Sequence, residues 1–312
     1  MAAAFAIVLP VFVVILIGYG FGKSGRFTPA ATKGLTDFTF SIAVPALLFR
    51  TVAGASFPAA DAAAVWASFF GALLITWVLA TAGSAVLLRR PAPDGAAITM
   101  SATYGNVVML GIPLSYTAFG PKAGATIAIL MSIHTPLVWL AGSLHMALAE
   151  GSGTSRSLPA IAADVAKDLA RNPIILAVVF GLAWQLTGLG LNEHVDRVLS
   201  LLAQASAPCS LIALGLSLVS FEIKGQAPTL LLILILKLIV MPALAGLLAI
   251  EVFGLDKVAA GVVVLFAAMP TGANAYLFAN RYGKAVNSTS GSVALGTILA
   301  APISAGIIWL LT

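Results

Sequence analysis

Met100 to Phe119 reads MSATYGNVVMLGIPLSYTAF. The stretch is long and apolar enough to enter a membrane, yet Asn106, Gly111 and Pro113 interrupt its middle. A second stretch of this kind, Leu265 to Gly283, reads LFAAMPTGANAYLFANRYG, with Pro270, Gly272 and Asn274 at its centre. Breaking a helix inside lipid frees backbone N–H and C=O groups, which then need protein, water or ligand as partners. Two interrupted hydrophobic segments at corresponding places of two halves mark a ligand site at mid-membrane. The rest of the chain is organised around this pair.

Of 312 residues, 60% are hydrophobic and 9% charged, and the mean hydropathy is +1.06. A soluble domain carries about 25% charged residues, so this is a polytopic protein of the lipid bilayer. The net charge of +5 does not indicate nucleic acid, because the basic residues sit in short connections between apolar runs. Cys209 is the single cysteine, which leaves no internal disulfide. The run MAAAFAIVLPVFVVILIGYGFG has no basic n-region, and its first charge, Lys23, follows it. It reads as a first membrane helix rather than a cleaved signal peptide.

Spans of about 20 apolar residues fall at 3–22, 34–54, 62–88, 95–118, 122–148, 172–190, 196–219, 227–252, 257–280 and 285–311. The one long connection, 150–171, opens with a flexible GSGTSRS segment. Ile161, Val165 and Leu169 then recur at spacing four, which predicts a short amphipathic helix along the interface. Lys23, Arg26, Lys33, Arg89, Arg90, Arg156, Lys167, Arg171, Lys224, Arg281 and Lys284 fall on one side of the bundle. Arg50, Lys122, Arg197 and Lys257 fall on the other. Eleven against four puts the first side, and the 150–171 connection, in the cytoplasm, with both termini outside.

Shifting the first half by 163 residues places Pro10 on Pro173, Pro45 on Pro208 and Gly120 on Gly283. A shift of 166 places Pro136 on Pro302. With 16 prolines in 312 residues, one such coincidence is unremarkable, but four in order at almost one offset indicate a repeat. Each half has five spans, an odd number, so the second enters the membrane upside down. The expected fold is all-α, with ten helices in a 5+5 inverted repeat. Its parts are 1–149, the 150–171 connection and 172–312.

Half-helices meeting at mid-membrane present free N–H groups with a partial positive charge, which suits a carboxylate. Asn106 and Asn274 beside the two breaks add amide donors. Pro113, Pro270 and Gly272 complete this candidate substrate site. The competing reading is a pair of kinked helices whose asparagines satisfy their own freed backbone. Lys237 lies at the middle of span 8, about ten residues from either end, where an ionisable side chain is a functional candidate. It could meet a substrate carboxylate, take part in a proton path, or hydrogen-bond freed carbonyls of the broken helices. His134, directly before the Pro136 kink, suits proton coupling or a simple bond to a neighbouring helix. Ser41 and Ser206, each a few residues before the proline of spans 2 and 7, join the substrate-site candidates.

Absences narrow the class further. Spans 4 and 9 contain no acidic residue to hold a coupling cation. Gly22-Lys23-Ser24 resembles the end of a phosphate loop, but the glycine required five residues upstream is Ile17. Gly18 and Gly22 read instead as a small-residue packing face. The sequence calls for no cofactor, no metal and no enzymatic nucleophile.

The segments SIAVPALLF around Pro45, GNVVMLGIPL, the Arg171–Pro173 start of span 6, KLIVMP on span 8 and AAMPTGANAYLFA occur in this order along the chain. In that order they resemble the auxin efflux carrier family, in its bacterial form, within the bile acid/auxin carrier/antiporter group. The resemblance covers the whole chain. It implies a scaffold of spans 1, 2, 6 and 7, and a transport domain of spans 3–5 and 8–10. It also implies a substrate crossover at Asn106, Pro113, Pro270 and Asn274, supported by Lys237. The PIN-type plant members have a far longer cytoplasmic loop, so control through that loop does not carry over. Nor does auxin, since bacterial relatives are linked to malonate, malate and other organic acids.

The expectation is a secondary carrier of a small organic anion in the inner (plasma) membrane, working by elevator-type alternating access. Proton coupling and a homodimer through small residues of the scaffold spans are compatible with it. A sodium- or proton-coupled symporter or antiporter of the bile acid carrier type is the alternative within transport. A membrane ligand sensor is the alternative outside it.

Overall fold

The computed structural model describes residues 2–54, 59–150, 163, 167, 170–223 and 226–311. In chain order its helices are α1 (Ala2–Lys23), α2 (Pro29–Phe38), α3 (Val44–Ala53), α4 (Ala59–Ala82), α5 (Ala92–Thr103), α6 (Ile112–Phe119) and α7 (Ala123–Glu150). The second half contributes α8 (Pro173–Leu186), α9 (Glu193–Leu218), α10 (Ala227–Ile235), α11 (Met241–Gly246), α12 (Lys257–Ala267), α13 (Ala273–Tyr282) and α14 (Val286–Leu311). Among the described residues the one β-type pairing is an isolated antiparallel bridge between Gly105 and Thr271.

Seven continuous helical runs are long and apolar enough to cross a membrane: Ala4–Lys23, Pro29–Ala53, Ala62–Leu87, Val107–Glu150, Glu193–Leu218, Ala227–Val252 and Val286–Leu311. The remaining expected spans differ for identifiable reasons. Span 6 is the 14-residue α8, capped by Asn172 and ended by a turn in which Gly188 and Gly190 adopt positive φ. Spans 4 and 9 are divided, into α5 with α6 and α12 with α13. The Val107–Glu150 run also contains a reversal. Gly120, at φ 65° and ψ −159°, opens the turn that lets α6 and α7 pack against each other. Span 2 starts five residues before its expected edge, because the Thr28 hydroxyl caps the Ala31 N–H at 3.2 Å and Pro29 occupies the first turn. The amphipathic helix expected around Ile161, Val165 and Leu169 lies outside the described residues.

Wide π turns recur ahead of prolines. Thr39–Ala43, Val107–Gly111 and Leu236–Val240 each end two residues before Pro45, Pro113 or Pro242. Proline lacks the helical N–H and crowds the carbonyl one turn back; the extra residue of a π turn gives that carbonyl room.

Two backbone-close pairs hold the first layer together: α1 runs along α9, and α3 along α8. A Cβ on Gly18 would lie 2.5 Å from the Ile212 carbonyl oxygen, and one on Gly215 would lie 2.1 Å from that of Ile15. Close backbone approach through small residues is how helices associate where lipid removes the hydrophobic drive. The Gly18 and Gly22 packing face of α1 is therefore used within the chain. The second layer gathers around the broken segments. Helix α4 packs on α5, α11 and α12, while α14 packs on α12 and α13.

Candidate functional site

The two breaks meet. Helix α5 stops at Thr103, and Tyr104 (ψ 99°) and Asn106 (ψ 58°) leave the helical conformation. Helix α12 stops at Ala267, and the chain is extended at Gly272 (ψ 157°) before α13 begins. The Asn106 N–H donates to the Pro270 carbonyl at 2.8 Å, and the Gly272 N–H donates to the Tyr104 carbonyl at 2.9 Å. Each break thus satisfies backbone groups that the other has freed, as a non-helical segment inside a membrane requires. Gly105 faces Thr271 across this bridge, where a Cβ would sit 3.1 Å from Lys237 Cε and 3.2 Å from the Met269 carbonyl oxygen.

Polar side chains fasten the arrangement. Lys237, 1% exposed, donates from Nζ to the Ala267 carbonyl, the last of α12, at 2.6 Å, and lies 3.3 Å from Met241 Sδ. Of the three roles open to Lys237 in the sequence, this geometry is that of a donor to a freed carbonyl. Thr271 donates to the Ser101 carbonyl at 2.9 Å, and the Ser101 and Thr289 hydroxyls pair at 2.8 Å. The Tyr104 hydroxyl donates to Thr135 Oγ1 at 3.1 Å and accepts from Asn274 Nδ2 at 3.0 Å.

A cavity of about 30 Å³ lies at the bridge, lined by Tyr104 to Met109, Gly272 to Asn274 and Phe40. That is room for a water or two. Two helical segments begin in its wall, the π turn into α6 at Val107 and α13 at Ala273. Their first N–H groups have no carbonyl one turn back to donate to. Asn106 is 6% exposed, caps nothing with its side chain, and its Nδ2 is buried without a hydrogen-bond partner. The cavity wall is free of carboxylates, so its donors face space suited to an anion.

Other expected residues are distributed around this centre. Pro113 is buried in the first turn of α6, behind the cavity wall. Pro270 contributes its carbonyl to the bridge. His134 is fully buried, 5.1 Å from the Tyr104 ring and 5.6 Å from that of Phe69, and neither ring nitrogen has a hydrogen-bond partner. Ser206 is buried in α9, away from the cavity wall. Ser41 is exposed; its neighbour Phe40 lines the cavity instead. Both belong to the Thr39–Ala43 π turn, which changes the angular register of the helix. Thr271 of the second break belongs to the site as well, and so do Tyr104, Gly105 and Thr135, which were not singled out in the sequence. The TYGN run next to Asn106 carried the available signal.

Crossing, interrupted membrane helices with converging polar groups at their centre define a membrane transporter. A profile of the family described as membrane transport protein matches residues 3–308. The chain belongs to that family, which is the auxin efflux carrier family, whose members are transporters and not enzymes. It is 26% identical to a Rhizobium meliloti protein provisionally named a malonate transporter, over 100% of this chain and 97% of that one. It is 24% identical to the lysosomal cholesterol signaling protein of Mus musculus over 99% of this chain, a match that spans 37% of the mouse protein. Auxin efflux carrier component 3a of Oryza sativa subsp. japonica is 29% identical over 43% of this chain and 22% of its own length.

Proposed function

We propose that the protein is a secondary carrier of a small organic anion, whose carboxylate binds at the crossover between Asn106, Asn274 and the amides that begin the π turn into α6 and α13. The observation that carries this reading is Asn106 Nδ2, a buried donor without a partner, beside two helix starts in one carboxylate-free wall. The malonate assignment of the Rhizobium meliloti relative makes a short dicarboxylate the first substrate to try. Binding energy would come from charge-assisted hydrogen bonds. Transport would be driven by the electrochemical gradient; an inside-negative potential of about 100 mV favours export of one negative charge by about 2.3 kcal/mol.

The cavity of about 30 Å³ is far below the several hundred Å³ of a ligand pocket. Loading therefore requires the Phe40 turn and the crossover to part. That supports an elevator-type motion of spans 3–5 and 8–10 against a scaffold of spans 1, 2, 6 and 7. Packing also supports the 5+5 inverted repeat. Span 1 against span 7 is matched by span 6 against span 2, and α5 against α13 by α12 against α6. With both termini outside the plasma membrane, as the basic residues favour, α13 leads to the cytoplasm and α6 outward. Helix α6 packs on α1 and α9, and Tyr116 pairs with Thr51 at 3.0 Å. In that orientation these contacts would close the outer path.

The test is a thermal-shift panel of malonate, other mono- and dicarboxylates and indole-3-acetate, with and without sodium, on wild type and Asn106→Ala. A ligand of the folded state raises the melting temperature by mass action. A sodium-independent shift with a carboxylate, lost in Asn106→Ala, is expected. A shift retained in that variant would remove the assigned site, and a shift that requires sodium would favour a coupled symporter. Proton coupling is a second reading, favoured by the unpartnered His134 against Tyr104. It requires His134→Gln to flatten the pH dependence of uptake into proteoliposomes, and an unchanged profile would eliminate that role.

A further inference from the structure

At the far end of α5 from the crossover lies a polar cleft of about 380 Å³. Its walls include Arg90 from the α4–α5 connection, Asp94 in the first turn of α5, Gln226 and Thr229 at the start of α10, and Asn287 and Ser288 at the start of α14. Ten residues of helix separate Asp94 from Tyr104, about 15 Å, so the cleft and the crossover are different places. In size the cleft falls within the range of small-ligand pockets, about 300–1,000 Å³.

Its chemistry favours an oxyanion. The Arg90 guanidinium is held in the wall by Thr229 Oγ1, at 2.9 Å, and by Gln226 Oε1. Thr229 is 1% exposed, so the guanidinium is fixed on a buried anchor rather than swinging in solvent. Asp94, the one carboxylate in the lining, accepts the Ala285 N–H at 3.1 Å and so caps the start of α14. Helices α5 and α10 also begin here, and neither Pro91 nor Gln226 caps its helix with a side chain. First-turn N–H groups and the helix dipoles therefore add to the positive potential of Arg90. Of the non-glycine residues with positive φ among those described, Ala285 (φ 48°) lines the cleft, and Arg89 (φ 49°) directly precedes Arg90. Strain of this kind gathers where a particular geometry has a use. Val86, Leu87 and Leu231, all more than half exposed, lie within about one turn of Arg90 or Thr229 in sequence and offer apolar surface there.

We propose that this cleft is a second anion site, separate from the crossover, that takes a phosphate group. Arg90 supplies the charge, and Asn287, Ser288 and first-turn amides supply neutral donors. The phosphate has two sources. One is the headgroup of an anionic phospholipid, with its chains along Val86, Leu87 and Leu231; basic pockets between membrane helices accept such headgroups. The other is free phosphate.

Two measurements on the full chain separate these outcomes. Native mass spectrometry after reconstitution in equal parts phosphatidylglycerol and phosphatidylcholine reads lipid retention, and thermal shift against inorganic phosphate reads the soluble source. Retention of phosphatidylglycerol over phosphatidylcholine is expected, about tenfold weaker in Arg90→Ala. Asn287→Trp should weaken it similarly, because the indole fills the cleft from an exposed position while leaving the bonds of Arg90 intact. Arg26→Ala, which removes a cation in the α1–α2 turn, should change nothing. A phosphate-induced shift with the same dependence on the variants, without lipid selectivity, would assign the site to free phosphate. Equal lipid retention and equal phosphate shifts in wild type, Arg90→Ala and Asn287→Trp would overturn the proposal. Asn106→Ala should retain phosphatidylglycerol like wild type, so the fate of the crossover reading does not decide this one.

Discussion

The break after α5 and the break after α12 share one antiparallel bridge, but they are secured by different means. On the α12 side, Lys237 takes the terminal carbonyl of Ala267, Thr271 is tied to Ser101, and Asn274 is bonded to Tyr104. On the α5 side, Gly105 makes room for the lysine, while the side-chain Nδ2 of Asn106 has no partner. The helices that follow differ as well. Ile112 to Ser115 of α6 are buried and α6 packs on α1 and α9, whereas α13 packs on α5 and α14 and Leu277 is 55% exposed. One break is fastened by side chains; the other keeps a donor in reserve. The lesson is that two similar interruptions in a sequence need not have similar work.

Gly105→Val should have the largest effect on this contrast. Its added atoms would press on Lys237 and the Met269 carbonyl together, at a cost of about 3 kcal/mol or more where backbone cannot yield. Loss of monodisperse protein in detergent is the expected result, and a wild-type melting curve would show that the bridge is looser than described. Lys237→Met comes next. It leaves the Ala267 carbonyl buried without its donor, costing about 1–3 kcal/mol, visible as a lowered melting temperature. If stability holds, the lysine does not fasten the α12 break.

The two asparagines then sharpen the comparison. Asn106→Ala should leave the melting temperature of the ligand-free protein near wild type, since its Nδ2 makes no bond within the chain. Its carboxylate affinity should fall about tenfold, the worth of one charge-assisted hydrogen bond. Asn274→Ala should lower both, because it also abandons Tyr104. Equal losses of stability in the two variants would erase the distinction between the breaks. The smallest effect is expected for Tyr104→Phe, about 0.5–1.5 kcal/mol from hydroxyl bonds to Thr135 and Asn274, read from thermal melts.

Much of this was legible in the chain. Interruptions at Asn106 and Asn274, the membrane class and the buried position of Lys237 all follow from local composition. Gly18 followed too, because a small residue on an apolar helix face implies close backbone approach. Phe40 and Ser41 show where local reading fails. A polar residue before Pro45 was the natural candidate, yet the π turn places the phenylalanine at the cavity and leaves the serine exposed. Tyr104 was passed over because its partners, Thr135 and Asn274, stand 31 and 170 residues away.

Where helices must stop, which stretches belong in lipid, and which side chains bring donors to mid-membrane were determined by sequence, since proline, glycine and asparagine act on backbone within a turn of themselves. Which donors are already taken was decided by the tertiary structure alone. Helical periodicity is local, but the partner of a hydrogen bond is whatever the fold brings within about 3 Å. Asn106 and Asn274 look alike as letters beside a break; packing gave one of them a tyrosine and left the side-chain nitrogen of the other without a partner.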